Sequence, residues 1–176
     1  MKLDPLRINN SYLLRYEKRK WGIFKDSKEL VINVDFENRD GSLGNSDEKS
    51  YLNAFGINTD SVCMIHDIIL RLSSGRGHVY LFVYQAVEGK RKFKVLQLMD
   101  IYLEPKFQNL GIGSQLIKLI EEICKNNSIS YIFGILQKDE ALERRKGFFI
   151  KNGFQLRNDP RFPMSNIGAA KQLISD

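Results

Sequence analysis

Residues 98–113 read LMDIYLEPKFQNLGIG. An apolar strand pattern runs into a loop carrying Pro105, Gly111 and Gly113, and an amphipathic helical pattern opens where the loop ends. Such a join leaves the first backbone N–H groups of the helix without carbonyl partners and adds the positive end of the helix dipole. The stretch therefore predicts a cradle for an anion such as a pyrophosphate. Two other phosphate loops share this layout, and neither fits. A dinucleotide fingerprint needs a third glycine where Leu116 stands, and a P-loop needs Gly-Lys-Ser/Thr where the chain has Gly113-Ser114-Gln115. A plain strand–turn–helix is the remaining alternative, and the neighbouring segments weigh against it.

Upstream, 62–72 (VCMIHDIILRL) and 78–87 (HVYLFVYQAV) are rich in β-branched and aromatic residues, and Ser-Ser-Gly-Arg-Gly at 73–77 separates them, which predicts a hairpin. Glu88-Gly89-Lys90 turns the chain into 93–103, so three antiparallel strands precede the loop. Downstream, Leu116, Ile117, Ile120, Ile123 and Cys124 recur at i, i+1, i+4, i+7 and i+8, one apolar face that should cover the sheet. Asn126-Asn127-Ser128 ends that helix, 131–137 (YIFGILQ) is a short buried strand, and a charged helical stretch from Asp139 leads to Gly153-Phe154. A strand returning after a crossover helix lies parallel to the first, so the expected class is α/β (α+β): one domain over 1–176 with a mixed sheet, antiparallel early and parallel late, flanked by helices.

The strand, Leu103-x-Pro105, Gln108-x-x-Gly111-x-Gly113 and the following helix resemble the acetyl-CoA-binding motif of the GNAT superfamily of N-acetyltransferases, whose usual pattern is Val-x-Pro followed by Gln/Arg-x-x-Gly-x-Gly/Ala. The family's closing Tyr-x-x-x-Gly-Phe corresponds to 149–154 (FIKNGF), so the resemblance covers roughly 62–156 in the right order of elements. It implies that acetyl-CoA (coenzyme A) is bound by Gln108, Asn109, Leu110, Gly111, Ile112, Gly113 and Ser114 at the pyrophosphate. It also implies that the backbone of Ile101 and Leu103 pairs with the pantetheine arm. Main-chain donors can do this without particular side chains.

The resemblance also implies direct attack of a neutral amine on the thioester, with a backbone N–H stabilising the oxyanion. A base helps, because an alkylammonium with a pKa around 10 is mostly protonated at neutral pH. Family members often place a glutamate six or four positions before the Val of Val-x-Pro; here those positions are Gln97 and Met99. Asp100 is the nearest carboxylate and the candidate catalytic residue, although strict alternation puts it with Leu98 and Tyr102, facing away from Gln97 and Met99. The family's acid, a tyrosine, falls on Phe149, and Tyr102 or Tyr131 are the hydroxyls that could stand in.

Cys63-x-x-His66 and His78 raise a metal reading, but no second pair with ligand spacing follows, and no metal is expected. Ser73, Ser74 and Cys124 lack a histidine–carboxylate pairing in the sequence, so nucleophilic catalysis is unsupported. Two basic clusters stand out. Arg15, Lys18, Arg19 and Lys20 read as a solvated helix face. For Arg144, Arg145, Lys146 and Lys151 the resemblance, in which the closing helix lies beside coenzyme A, implies a cofactor-facing set.

The first sixty residues say less. Ser11 predicts a helix cap for 12–20, 30–36 (LVINVDF) a strand, and 37–50 a polar loop. In the resembled family this region carries a first strand and two helices that shape the acceptor pocket. The 176 residues suffice for one core; two cysteines and no apolar h-region in the first twenty residues predict a reduced, cytoplasmic protein with no membrane span. A formal charge of +6 and a pI near 9.3 favour anionic partners. The leading expectation is an acetyl-CoA-dependent N-acetyltransferase acting on an amine-bearing acceptor, with a homodimer left open. An aminoacyl-tRNA acetyltransferase toxin, which would make nucleic acid a partner, and a non-catalytic coenzyme A-binding module are the alternatives.

Overall fold

A computed structural model describes residues 7–20, 24–39, 46–158 and 167–173. Its strands are β1 (Ser11–Lys20), β2 (Phe24–Asn38), β3 (Ser61–Leu72), β4 (Gly77–Glu88), β5 (Arg91–Leu103), β6 (Ile129–Leu136), β7 (Gln155–Arg157) and β8 (Ile167–Gln172). The helices are α1 (Ser46–Ala54), α2 (Ile112–Asn126) and α3 (Leu142–Lys151). All eight strands join one mixed sheet in the order β1-β2-β3-β4-β5-β6-β8-β7. Neighbours are antiparallel except β5 and β6, which run parallel, as a crossover through α2 requires.

The hairpin, the three antiparallel strands, the crossover helix and the returning strand stand where the sequence put them. The first region does not. Residues 12–20 form a strand rather than a helix, because Leu14 and Tyr16 alternate inward, with Leu13 and Arg15 outward, against a β2 that presents buried Leu30 and Ile32 in register. Period-two burial on an existing strand outweighs a local cap signal. The basic residues read as a helix face are therefore on this strand, where Arg15 donates to Glu29 across the pair. Within the expected loop 37–50, β2 continues to Asn38, residues 46–50 open α1, and 40–45 lie outside the described residues. Among the described residues, two strands and one helix precede β3, whereas the resembled family carries a strand and two helices there.

Two cores form, one on each face. Leu116, Ile117, Ile120, Ile123 and Cys124 of α2 are all buried, and four of these, all but Ile123, pack with Leu81, Val83, Leu96 and Leu98 of the sheet and Phe149 of α3. Each such aliphatic side chain contributes roughly 1.5–3 kcal/mol by leaving water. On the opposite face, α1 and the turn after it bring Leu52, Phe55 and Ile57 over Tyr84, Phe93, Val95 and Phe133. Among the described residues this cover packs at the Tyr84, Phe93 and Val95 end of the strands, and no helix is seen over the other end of this face.

Two irregularities shape the centre. Extra residues bulge between Met64 and His66 in β3 and, in β5, at Met99, where Leu81 pairs with Leu98 but Tyr80 pairs with Asp100. Pairing of β5 with β6 ends at Leu98 and Gly134. A Cβ on Gly134 would lie 3.1 Å from the Leu98 carbonyl oxygen, so a larger residue would push the last rung apart. Beyond it β6 stays paired with β8 while β5 diverges. No helix among the described residues is long and apolar enough to cross a membrane.

Candidate functional site

The divergence of β5 and β6 opens a cavity of about 520 Å³. Met99, Asp100, Ile101 and Leu103 form one wall, Ile135 and Leu136 the other, and α3 with Phe148 and Phe149 covers it. Since β5 has lost its β6 partner from Met99 onward, its backbone on that side is free to pair with an extended ligand.

The α2 end of the cavity is built by backbone conformation. Asn109 (φ 59°) and Gly111 (φ 79°) are both left-handed, and Gly111 caps α2 with no side-chain hydrogen bond. The amides of Ile112, Gly113 and Ser114 thus lack both a preceding turn and a side-chain cap. No acidic residue stands in the first turn. A Cβ on Gly111 would meet nothing within 4 Å, so the glycine answers to the turn, with open space in front of it. Gly113 is different: a Cβ there would come 3.0 Å from Phe148, so its smallness lets α3 close over the cavity.

The predicted residues converge here, in different capacities. Gln108, Asn109, Gly111, Gly113 and Ser114 line the cavity together with Ile101 and Leu103. Ile112 buries its side chain in the core, and Leu110 packs against that core, so each can offer only main chain. Gln108 spends its Nε2 on the Leu103 carbonyl at 2.8 Å and so ties the loop to the end of β5. Arg144, Arg145 and Lys151 line the cavity, whereas Lys146 is paired with Glu143. Arg145 is itself held by Asp139, whose carboxyl it keeps below the usual range.

Asp100 also reaches the cavity wall, and its orientation corrects the alternation argument. The extra residue at Met99 inverts the parity of everything after it. Asp100 pairs with Tyr80 and Gln97 with Phe82, which places both on the same face of the sheet. There Asp100 Oδ2 lies 3.1 Å from His78 Nε2, and His78 stacks on Tyr102 (centroids 5.4 Å apart) and against Tyr80 (4.7 Å). Sequence reasoning missed His78 in this role. Counted back from Glu88 opposite Arg91, an unbroken hairpin sets His78 opposite Ile101 and Tyr80 opposite Met99; the bulge brings Tyr102 and Asp100 to those places instead.

Gln97, at a usual glutamate position, is buried and accepts a hydrogen bond from the Tyr84 hydroxyl at 2.8 Å. Desolvation pushes the Tyr84 hydroxyl up, out of any proton-transfer role near neutrality. Phe149 is buried edge-on against Phe148 and Phe154 and donates nothing. Tyr131 packs with Phe93 on the far core, away from the cavity. Cys124 is buried with its thiol pushed up, which makes it inert. Cys63 and His66 stand on β3, and no group of three metal-ligating side chains occurs among the described residues.

Residues 67–156, just over half of the chain, match the family model of the acetyltransferase (GNAT) domain. The chain belongs to that family. This GNAT protein is 28% identical over 103 residues to a thialysine N-epsilon-acetyltransferase of Mus musculus and 26% identical to that of Sus scrofa. In both cases the match takes in 55% of this chain and 58% of the relative, so the chain covers under two thirds of either relative's length. Among solved structures it is similar to the PaiA N-acetyltransferase of Thermoplasma acidophilum in complex with coenzyme A, at 19% identity, a TM-score of 0.43 and 59% of each chain.

Proposed function

We propose that this GNAT protein transfers the acetyl group of acetyl-CoA to a primary amine by direct attack in a ternary complex. The observation that carries the reading is the union of two unsatisfied main-chain surfaces in one cavity: the released edge of β5 from Met99 to Leu103 and the uncapped start of α2 behind Gly111. The amides of Asn109 to Ser114 would hold the diphosphate, with Arg144, Arg145 and Lys151 supplying cations. Ile101 and Leu103 would offer their backbone to the amides of the pantetheine arm. The thioester supplies an activated acyl group whose thiol, with a pKa around 8.5, is a fair leaving group without an acid. This offsets the loss of a tyrosine at Phe149.

The charge of the open sheet face supports a cationic acceptor. Asp35, Glu37, Asp67 and Asp100 share the rungs of that face, against Arg71, which donates to Asp35, and Arg39, which pairs with Glu37 and Asp67. On these rungs, among the described residues, four carboxylates stand against two guanidiniums, and the Arg15–Glu29 pair further along the face is balanced, so in a chain of net charge +6 this face would attract an ammonium to where it would meet the thioester. A lysine-like amine, as in the thialysine of the named relatives, fits that field. Cys63 and Cys124 are both free, in keeping with a reducing compartment such as the cytoplasm.

Thermal melting tests the cofactor half. At about 100 Kd of acetyl-CoA or coenzyme A, stabilisation of about 2.7 kcal/mol should raise Tm by about 5–10 °C. No shift with either ligand would overturn the reading. A second reading, a coenzyme A-binding module without catalysis, draws on Gln97 locked by Tyr84 and on Phe149; it predicts the same shift with no thiol release across an amine panel.

A further inference from the structure

We infer that His78, oriented by Asp100, is the group that removes the proton from the attacking amine. The inference rests on the transferase reading above and adds the atom that does the work.

The geometry is specific. An ionised Asp100 can only accept, so the contact between its Oδ2 and His78 Nε2 at 3.1 Å assigns the hydrogen to Nε2 and leaves the lone pair on Nδ1. Tyr102 stacks on the imidazole and Tyr80 packs against it at a tilt, contacts that restrict the ring before an amine arrives. The His78 side chain keeps 31% of its exposure, enough to meet an acceptor, and no cover from α1 reaches this end of the sheet. Asp100 belongs to the cavity wall and to the pair at once. The dyad therefore stands at the boundary between the cavity and the acidic face from which an amine would arrive.

Of the described side chains near the divergence, Gln97 and Met99 cannot take a proton, Phe149 is apolar, and Arg144, Arg145 and Lys151 are cations. The remaining proton acceptor there, Asp100, is engaged by His78 Nε2, which leaves Nδ1 of His78 to meet the amine. In the step, the amine lone pair forms the C–N bond to the thioester carbonyl carbon and the C–S bond breaks. Nδ1 of His78 takes one proton from nitrogen and returns it, directly or through water, to the departing thiolate. Amide and free thiol result, and the imidazole is neutral again.

The charged and titratable neighbours of His78 are Asp100 and Tyr102 on β5, Tyr80 on β4 and, directly opposite on β3, Arg71, itself held by Asp35 of β2. Arg71 is paired with its own carboxylate, Asp35, and the carboxylate that contacts the ring is that of Asp100.

The test compares wild type, H78Q, H78A and D100N for acetyl-CoA binding by calorimetry. Thiol release is then followed from pH 5.5 to 9 with a primary-amine library that includes thialysine and 1,5-diaminopentane. Expected are unchanged acetyl-CoA affinity in the two His78 variants, a kcat about 100-fold lower in H78Q, an intermediate loss of kcat in D100N, partial rescue of H78A by free imidazole, and loss of the acid limb of the pH profile without His78. H78Q turning over within twofold of wild type with the same profile would overturn the inference alone. A wild type that binds no acetyl-CoA would overturn the transferase reading and this inference with it. One that binds it and acetylates nothing in the library would instead favour the non-catalytic module and sink the dyad's role.

Discussion

The two sides of the β5 strand are built by different means. On the cavity side the ligand surface is main chain: a released strand edge, two left-handed residues and the open start of a helix. On the opposite face the surface is side chain: His78, Asp100, Tyr80 and Tyr102, brought together by a single bulged residue. The first kind of site needs only that glycine be glycine at certain positions, and can be read in one dimension. The second depends on the register across the β4–β5 hairpin, which a bulge shifts by one residue. An acyl donor common to many reactions can be held by the first, while acceptor chemistry is left to the second.

The sharpest way to break this contrast is at Gly111. Its φ of 79° suits glycine, and a Cβ there would touch nothing, so any damage from a larger residue arises in the backbone itself. A β-branched residue in that region costs about 1–2 kcal/mol or re-forms the turn. G111V should weaken acetyl-CoA binding about 100-fold by calorimetry, a loss of roughly 2.7 kcal/mol. G111N should stay within a few-fold, because asparagine tolerates left-handed backbone. Equal affinity in G111V would mean that the cradle does not hold the diphosphate.

The same division explains which parts of the molecule could be read from the chain. The hairpin of β3 and β4, the crossover through α2 and the cavity loop follow from periodicity and turn residues acting over short distances. The strand at 11–20 could not, because its local pattern allows a helix and only Leu30 and Ile32, supplied by β2, decide for a sheet. Nor could the face of Asp100, since no residue type announces that Met99 will bulge. His78 stayed hidden for that reason alone: its partner lies 22 positions away, across an irregular rung.

The other bulge gives a test within the sheet. His66 follows the extra residue in β3 and is 2% exposed beside Phe36, and neither ring nitrogen has a hydrogen-bond partner among the described residues. Burial, with the Lys94 charge adding to it, lowers its pKa from 6.5 to about 4. The folded form thus binds a proton less readily than the unfolded chain. Stability is fully present above about pH 6.5 and declines as pH falls toward 4. Urea unfolding should show about 2 kcal/mol less stability at pH 5 than at pH 7.5 from this residue, and H66L should remove that share of the slope. An unchanged slope in H66L would show that His66 is not the group responsible.

Gly147 offers the smallest effect and the cleanest separation of fold from site. It lies within α3 and lines the cavity, and a Cβ at this position would meet nothing within 4 Å. Unlike Gly111 its backbone is not left-handed, so a side chain here is unstrained, and leucine gains up to ~0.8 kcal/mol of helix propensity over glycine. G147L should therefore melt at or slightly above the wild-type temperature. Its side chain would nonetheless occupy space that the main-chain site leaves for its ligand, so acetyl-CoA affinity should fall about tenfold, or 1.4 kcal/mol. G147A, which adds one methyl, should bind nearly as wild type. A G147L protein with full stability and full affinity would show that the ligand does not run beneath α3. The cavity would then have to be divorced from the released edge of β5, although both share the same wall.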